Sequence, residues 1–309
     1  MRPGKAVAWL CLAILLPTSA TAQDGSTLEA ALRTRLARDT AVVAVALHDP
    51  ISGLKVLLRA DLRFHAASTM KVPVLVELAR RVDAGELGWD EPWPVRNGFA
   101  SIVDGSPYRL SAADDSDSTL YAMEGRAVPV GELARLMIVR SSNLATNILI
   151  ERLGPARVNA TAGALGADSI EVLRGVEDTK AFRAGRNNTT TARDLATLLL
   201  AIADGRTASD TSSNRMLAIL EAQEFNDGIP AGLPPGTRVA HKTGEITATF
   251  HDAALIWTGG RSDGQGVGRA DGPYALVVLT RGYADRDGAM AVMREVAAMA
   301  HTAVLRERR

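Results

Sequence analysis

The sequence predicts an α/β chain of the α+β kind. It should hold an antiparallel sheet built from both chain ends and flanked by helices, with an all-helical subdomain inserted in the middle. Three observations predict it. Near the N-terminus, Ala41–Leu47 and Leu54–Leu58 are β-rich runs joined by a turn-forming cluster, His48-Asp49-Pro50-Ile51-Ser52-Gly53. From Arg238 onward the β signal returns in Val239–Lys242, Ala253–Trp257 and Ala275–Thr280. Between these ends, Val72–Val82, Val130–Arg140, Leu144–Leu153, Ala192–Ala203 and Ser213–Ala222 repeat apolar residues at i, i+3 and i+4, the helical period. Helices over Thr27–Ala37 and about Asp287–Leu305 flank the sheet. The sheet part then spans residues 23–62 and 235–309, and the helical part 63–234. A cleft at their junction is the expected binding site.

The chain has 309 residues, 47% hydrophobic and 23% charged, the balance of a soluble globular protein. Lys plus Arg and Asp plus Glu each total 35, so no basic surplus marks a nucleic-acid partner. The glycine-rich stretch Gly259–Gly272 falls between two strands and opens no helix, which predicts a hairpin loop and not a phosphate cradle. A small-molecule substrate and a monomer are expected.

The N-terminus has the pattern of an export signal over residues 1–22. Arg2 and Lys5 precede the apolar stretch Ala6–Leu16, too short to span a bilayer, and Ser19-Ala20-Thr21-Ala22 supplies a small-residue cleavage pattern. A periplasmic or secreted protein without a stable membrane anchor is predicted. Cys11, the single cysteine, lies inside this segment, so the mature chain has no thiol for a nucleophile, a cysteine zinc site or a disulfide. His48, His65, His241, His251 and His301 show no metal-ligand spacing, and no cofactor motif is present; His241 and His251 can approach each other on neighbouring strands, but two ligands make no zinc site.

Chemistry concentrates in three short elements. Ser68-Thr69-Met70-Lys71 directly precedes the apolar run Val72, Val74, Leu75 and Leu78. A serine and a lysine three apart share a helix face, and a helix N-terminus favours developing negative charge. A neutral Lys71 can take the Ser68 proton and activate a nucleophile. Taken alone, S-x-x-K occurs by chance in many proteins. Ser141-Ser142-Asn143 falls in a predicted turn between helices, where a hydroxyl and a carboxamide can face one cleft. His241-Lys242-Thr243-Gly244 lies on a predicted strand whose alternation puts Lys242 and Gly244 on one face.

S-x-x-K, S-x-N and K-T-G in this order resemble the penicillin-recognising serine hydrolases. Spacings of 73 residues from Ser68 to Ser141 and 101 from Ser141 to Lys242 resemble the class A β-lactamases among them. The resemblance covers the mature chain and implies a β-lactamase/transpeptidase-like fold and opening of β-lactam rings through an acyl-enzyme. It implies Ser68 as nucleophile, Lys71 as its proton acceptor and Ser141 as relay to the leaving nitrogen. Asn143 would hold the substrate amide, and Lys242 and Thr243 its carboxylate. Gly244 would let substrate approach the strand, and the amides of Ser68 and Glu245 would form an oxyanion hole. A D,D-peptidase- or esterase-like hydrolase with slow lactam deacylation, or a non-catalytic cell-wall peptide binding module, remains as an alternative.

The sequence departs from the family pattern in several places. Ser142 replaces the usual aspartate of S-D-N; Pro73 removes a backbone donor early in the helix and is expected to bend it; Glu245 is charged where a small residue is usual. Extra residues over Phe99–Tyr121 carry Asp104, Asp114, Asp115 and Asp117, read as a solvated loop in preference to a cleft rim. Class A enzymes activate the deacylating water with a glutamate on a long loop beside an asparagine, yet no W-E-x-x-L-N pattern occurs. The nearest echo, Phe182–Asn187, puts an arginine at the glutamate position. Glu177 or Asp178, paired with Asn187 or Asn188, can take that role; equally, Arg174 and Asp178 can form a purely structural ion pair.

Overall fold

The computed structural model describes residues 20–259 and 272–309. In chain order the N-terminal part runs α1 (Ala20–Leu36), β1 (Val42–His48), β2 (Lys55–Leu58), β3 (Phe64–His65) and α2 (Lys71–Asp83). Short strands β4 (Pro92–Pro94), β5 (Phe99–Ala100), β6 (Pro107–Tyr108) and β7 (Ala127–Pro129) follow, then α3 (Val130–Val139), α4 (Asn143–Leu153), α5 (Pro155–Ala164) and α6 (Thr179–Arg183). The chain continues through β8 (Thr189–Thr190), α7 (Ala192–Ala203), α8 (Asp210–Glu221), β9 (Val239–Ile246), β10 (Thr249–Ile256), β11 (Tyr274–Arg281) and α9 (Arg286–Glu307).

The main sheet is antiparallel throughout, in the order β2-β1-β11-β10-β9. It is assembled from the two chain ends, as the placement of the β signal predicts: Val42 pairs with Arg281 and His48 with Ala275. Alternation along β1 sorts its side chains between two cores. Val43, Val45 and Leu47 join Leu28 and Leu32 of α1 and Val292 and Val296 of α9. Ala44 and Ala46 face the other way, into a core shared with Leu195 and Leu198 of α7 and Leu75 and Leu78 of α2. Helices therefore cover both faces, and every residue of β10 is buried.

Most predicted elements agree within a few residues. Strand β9 extends four residues past the predicted run, which carries the whole His241-Lys242-Thr243-Gly244 segment into the sheet. Pro73 does not break α2: it is the third residue of the helix, where the amide has no intrahelical acceptor to lose, and the helix continues to Asp83. Helix α5 is absent from the sequence reading because Ala, Gly and Thr dominate it and only Val158 and Ala162 are buried. The expected export signal lies outside the described residues except for its last three, which open α1, and residues 260–271 of the expected glycine-rich loop also lie outside. Among the described residues, no helix is long and apolar enough to cross a membrane.

The turn between β1 and β2 is locked by the last helix. The Asp49 carboxylate is fully buried and accepts the Ile51 amide, the Ser52 hydroxyl and two bonds from Arg308, at 2.9 and 2.6 Å. Arg308 also donates to Thr258 Oγ1 and the Gly272 carbonyl. Burial works against ionisation of Asp49, but the Arg308, Ser52 and Ile51 hydrogen bonds outweigh it and hold the carboxyl below its usual range. Replacing Arg308 with Ala should destabilise the fold by about 3–5 kcal/mol at pH 7. Because a depressed carboxylate contributes its stability above the unfolded pKa and loses it as pH falls through the folded one, the deficit should shrink in acid. Urea unfolding of both proteins at pH 7 and pH 3 checks both the size and the trend.

Candidate active site

The turn carrying Ser68 is shaped before α2 begins. Ala67 has φ 45° in the left-handed region and donates its amide to His65 Nδ1 at 3.0 Å, while Thr69 Oγ1 donates to the Ala66 carbonyl at 2.6 Å. These bonds stand Ser68 in a 3₁₀ turn that leads directly into α2, with Lys71 as the first helical residue. Strand β9 packs against this turn at Gly244, where a Cβ would lie 3.1 Å from the backbone nitrogens of Ser68 and Thr69. A side chain at 244 would press on that backbone and push the strand back by a few tenths of an ångström. Glu245, on the same edge strand, lines a cavity with Ser68.

Two lysines meet on one hydroxyl. Lys71 Nζ donates to the Ser141 carbonyl at 2.6 Å, to Ser141 Oγ at 3.1 Å and to Asn143 Oδ1 at 3.0 Å. Lys242 Nζ reaches the same Ser141 Oγ at 3.1 Å and the Thr243 carbonyl at 2.9 Å. Both lysines are 0% exposed. Ser141 itself has φ 57°, a strained conformation for a residue with a side chain. The Ser142 amide, donating to the Leu136 carbonyl at 3.0 Å, helps to hold it, and Ser142 Oγ caps α4 at the Ala145 amide. Burial pushes Lys71 down to about 7, against the pull of Asp115 and Glu177. Burial and the neighbouring Lys71 charge put Lys242 well below the usual lysine value. A neutral amine at Lys71 is thus accessible near neutral pH, which is the form a proton acceptor needs.

Glu177 enters from the opposite side. Its carboxylate accepts from Asn143 Nδ2 at 2.9 Å, so Asn143 bridges Lys71 and Glu177. Burial raises the Glu177 pKa; the Asn143 bond lowers it, and repulsion from Asp115 and Asp114 adds to the rise. The loop bearing Glu177 is tied to α4 by Asn147, which accepts the Val176 amide at 2.6 Å and donates to its carbonyl at 3.0 Å. Gly175 makes that approach possible, since a Cβ there would sit 2.5 Å from Asn147 Oδ1. Two cavities, of about 410 and 310 Å³, share Ser68, Asn143 and Glu245. The larger contains Ser141 and Thr243, and the smaller contains Glu177 and Ile246. Ser68 Oγ lies between them and makes no hydrogen bond among the described residues, which leaves it open to an incoming carbonyl.

Several expectations need correction. Glu177 pairs with Asn143, not with Asn187 or Asn188. Asn187 accepts from Arg174, and Asn188 holds the Leu173 and Arg174 amides. Arg174 and Asp178 form no ion pair: the guanidinium is spent on the Arg186 and Gly175 carbonyls and Asn187. Asp178 instead caps α6 at the Ala181 amide and accepts from Ser101 Oγ and the Ile102 amide, both at 2.9 Å. Burial opposes ionisation there, and those hydrogen bonds overcome it, keeping the carboxyl low. The charge of Glu245, which lines both cavities, is paired: it accepts from Arg286 Nε at 3.0 Å, and Arg286 also pairs with Asp227. His241 and His251 do not face each other. His241 lies opposite Ala254 and meets Asp252 and Asn226, while His251 lies opposite Gly244 and bonds the His65 carbonyl. Among the described residues no group of three or more His, Cys, Asp or Glu could hold a metal ion.

The acidic segment is not simply a solvated loop. Asp115 is half-buried and accepts the Asn143 amide at 2.9 and 3.0 Å and the Leu144 amide at 3.0 Å, and Asp114 and Ser116 line the larger cavity with it. Sequence reading missed Asp115 as an individual residue. Clustering of aspartates in an insertion was its only signal, and clustering does not say which aspartate turns inward.

Comparison with known proteins agrees with this geometry. The family model described as Beta-lactamase enzyme family matches residues 27–304. Beta-lactamase Toho-2 of Escherichia coli is 29% identical over 252 residues, 79% of this chain and 78% of that protein. Beta-lactamase CTX-M-8 of Citrobacter amalonaticus is 26% identical over 225 residues, 71% of this chain and 72% of its own length. Among solved structures, PBP-A superposes with a TM-score of 0.74 at 28% identity, covering 91% of this chain and 97% of that one. A class A beta-lactamase variant of the last common ancestor of Gram-negative bacteria gives a TM-score of 0.74 at 26% identity, over 90% and 98% of the two chains.

Burying Lys71 has a measurable cost. A lysine whose folded pKa is depressed must be buried as an ammonium in acid, whereas between about 7 and the ordinary 10.5 only the unfolded state holds the proton. Stability conferred by wild-type Lys71 therefore rises with pH through that window. Relative to wild type, Lys71→Met should fare best at pH 6 and lose ground by pH 9, by roughly 1–3 kcal/mol. Chemical denaturation of the two proteins at both pH values reads the difference.

Proposed function

This chain belongs to the beta-lactamase enzyme family, and from that premise we propose that it opens β-lactam rings through an acyl-enzyme on Ser68 and releases the acyl group with Glu177. The carrying observation is the convergence of Lys71 and Lys242 on Ser141 Oγ, beside an unbonded Ser68 and a carboxylate held by Asn143. Neutral Lys71 takes the proton as Ser68 Oγ attacks the lactam carbonyl. The amides of Ser68 and Glu245 receive the oxyanion, each such donor contributing about 2.7–4 kcal/mol in enzymes of this kind. The proton then passes from Lys71 through Ser141 Oγ to the leaving nitrogen, along the 3.1 Å contact already made. Thr243, which lines the larger cavity, holds the substrate carboxylate with Lys242 behind it. Glu177 deprotonates the water that cleaves the ester, with Asn143 fixing its carboxylate.

Glu177 is preferred over Asp178 because both oxygens of Asp178 are occupied by Ser101, Ile102 and Ala181. No cofactor enters the scheme. The substrate is a small molecule, and the enzyme acts as a monomer in the periplasm or outside the cell. A second reading, a penicillin-binding D,D-peptidase- or esterase-like hydrolase with slow deacylation, draws support from the likeness to PBP-A, a variant of which was captured as an acyl-enzyme with penicillin G. A non-catalytic peptide binder has no use for two buried lysines whose desolvation costs stability.

Stopped-flow turnover of a chromogenic cephalosporin, followed by intact-mass spectrometry, tests the scheme. Ser68→Ala should form no adduct while keeping its fold. Glu177→Gln should acylate at nearly the wild-type rate and deacylate about 10²–10⁴ times more slowly. Asp178→Asn should lose thermal stability with no selective loss of deacylation. A normal adduct on Ser68→Ala would remove the nucleophile assignment, and slow release by wild type itself would favour the second reading.

A further inference from the structure

One carboxylate of the acidic segment sits beneath the turn that carries Ser141 and Asn143. Asp115 Oδ2 accepts the Leu144 amide at 3.0 Å and the Tyr121 hydroxyl at 2.8 Å, and both oxygens accept the Asn143 amide. Those two amides open α4, where backbone donors lack intrahelical partners and the helix dipole favours negative charge. Ser142, between Ser141 and Asn143, spends its hydroxyl on the Ala145 amide, leaving the Asn143 and Leu144 amides to a residue from elsewhere in the chain.

We propose that Asp115 is a positioning residue for acylation: it fixes the backbone of the Ser141–Asn143 turn and supplies a negative charge beside the buried Lys71. This rests on the reading of Ser68 and Lys71 given above. Charged and titratable groups face it from every side. Lys71 comes from the start of α2 and Glu177 from the loop before α6, while Asp114, Asp117 and Tyr121 belong to its own segment; Lys242, on β9, answers to Asp252 and not to Asp115. Arg140, at the end of α3, is engaged with Asp117 and Glu224. Of the carboxylates that favour the Lys71 ammonium, Asp115 is the stronger and Glu177 the weaker. Asp114 acts on Glu177 but is not among the groups acting on Lys71. Glu177 bonds the Asn143 side chain, whereas Asp115 bonds the Asn143 backbone. The bridge between Lys71 and Glu177 therefore hangs on Asp115.

The sign of the charge effect is definite. A nearby carboxylate stabilises the ammonium, so its removal lets Lys71 lose its proton at lower pH. Asp115→Asn keeps an acceptor of similar shape and discards the charge. Acylation by a fluorescent penicillin, measured by stopped flow from pH 5 to 9, should then show its rising limb at lower pH than wild type. Asp114→Asn should leave that limb unmoved. Asp115→Glu keeps the charge but misplaces the acceptor, so the limb should stay at the wild-type pH while the acylation rate falls about tenfold or more. An unmoved limb in Asp115→Asn, or an equal shift in Asp114→Asn, would overturn the proposal. Should Asp115→Asn fail to fold, Asp115→Glu decides: a slower rate on an unshifted limb supports the proposal, and a shifted limb contradicts it. A wild-type protein that takes no label overturns the parent reading and this inference together, whereas a labelled wild type with unresponsive Asp115 variants overturns this inference alone.

Discussion

Two fully buried lysine side chains, Lys71 and Lys242, donate to a single hydroxyl, Ser141 Oγ, each at 3.1 Å. Holding two ammonium groups that close in a dry site is electrostatically unfavourable, and the remaining features of the cleft answer that constraint. Ser141 accepts the strain of a left-handed backbone, which gives Lys71 both its carbonyl and its hydroxyl. Asn143 and Asp115 bring acceptor and charge, and burial leaves Lys71 able to shed its proton near pH 7. Lysine suits this task and arginine does not, because a guanidinium keeps its charge wherever it is placed. Only five of the chain's 35 basic residues are lysines, and two of those five are these.

The architecture supplies rigidity where the chemistry needs it. Lys242 sits on β9, whose neighbour β10 is buried along its whole length and is held by β11, itself paired with β1 from the other end of the chain. Lys71 is fixed at the start of α2, and Ser141 in the turn between α3 and α4. Three separate elements converge, and glycine at 244 lets the strand approach the Ser68 turn. Glu177 is the exception: it comes from a loop, at φ 62°, and is held by side chains on other segments, Asn147 and Asn143 among them. The proposed acylating groups stand on packed helices and a strand, and the proposed deacylating group stands on a tethered loop.

The legibility of the sequence follows that same division. Apolar periodicity located the sheet strands and the larger helices because burial of one face dictates those positions. Ser68, Lys71, Ser141, Asn143 and Lys242 were readable because each lies in a short motif on such an element, and the structure brings all five together. Loop contacts were not readable. The partner of Glu177 is Asn143, 34 residues away, and not the nearby Asn187 or Asn188, because tertiary packing and not sequence distance sets that bond. The acidic insertion was visible as composition, but the inward turn of Asp115 depends on α4 presenting two free amides to it. Pro73 is compatible with α2 because it falls in the first turn, a placement that the apolar pattern does not fix to the residue.

The protonation state of Lys71 tests the account most directly. With lysine ¹⁵N- and ¹³C-labelled protein, the five side chains are few enough to follow individually by NMR through a pH titration. One ε-carbon resonance should titrate near pH 7 and vanish from the spectrum of Lys71→Met, marking a neutral amine available to Ser68. A Lys71 signal that stays fully charged to pH 9 and above would contradict the account, because the buried array would then hold no base for the serine.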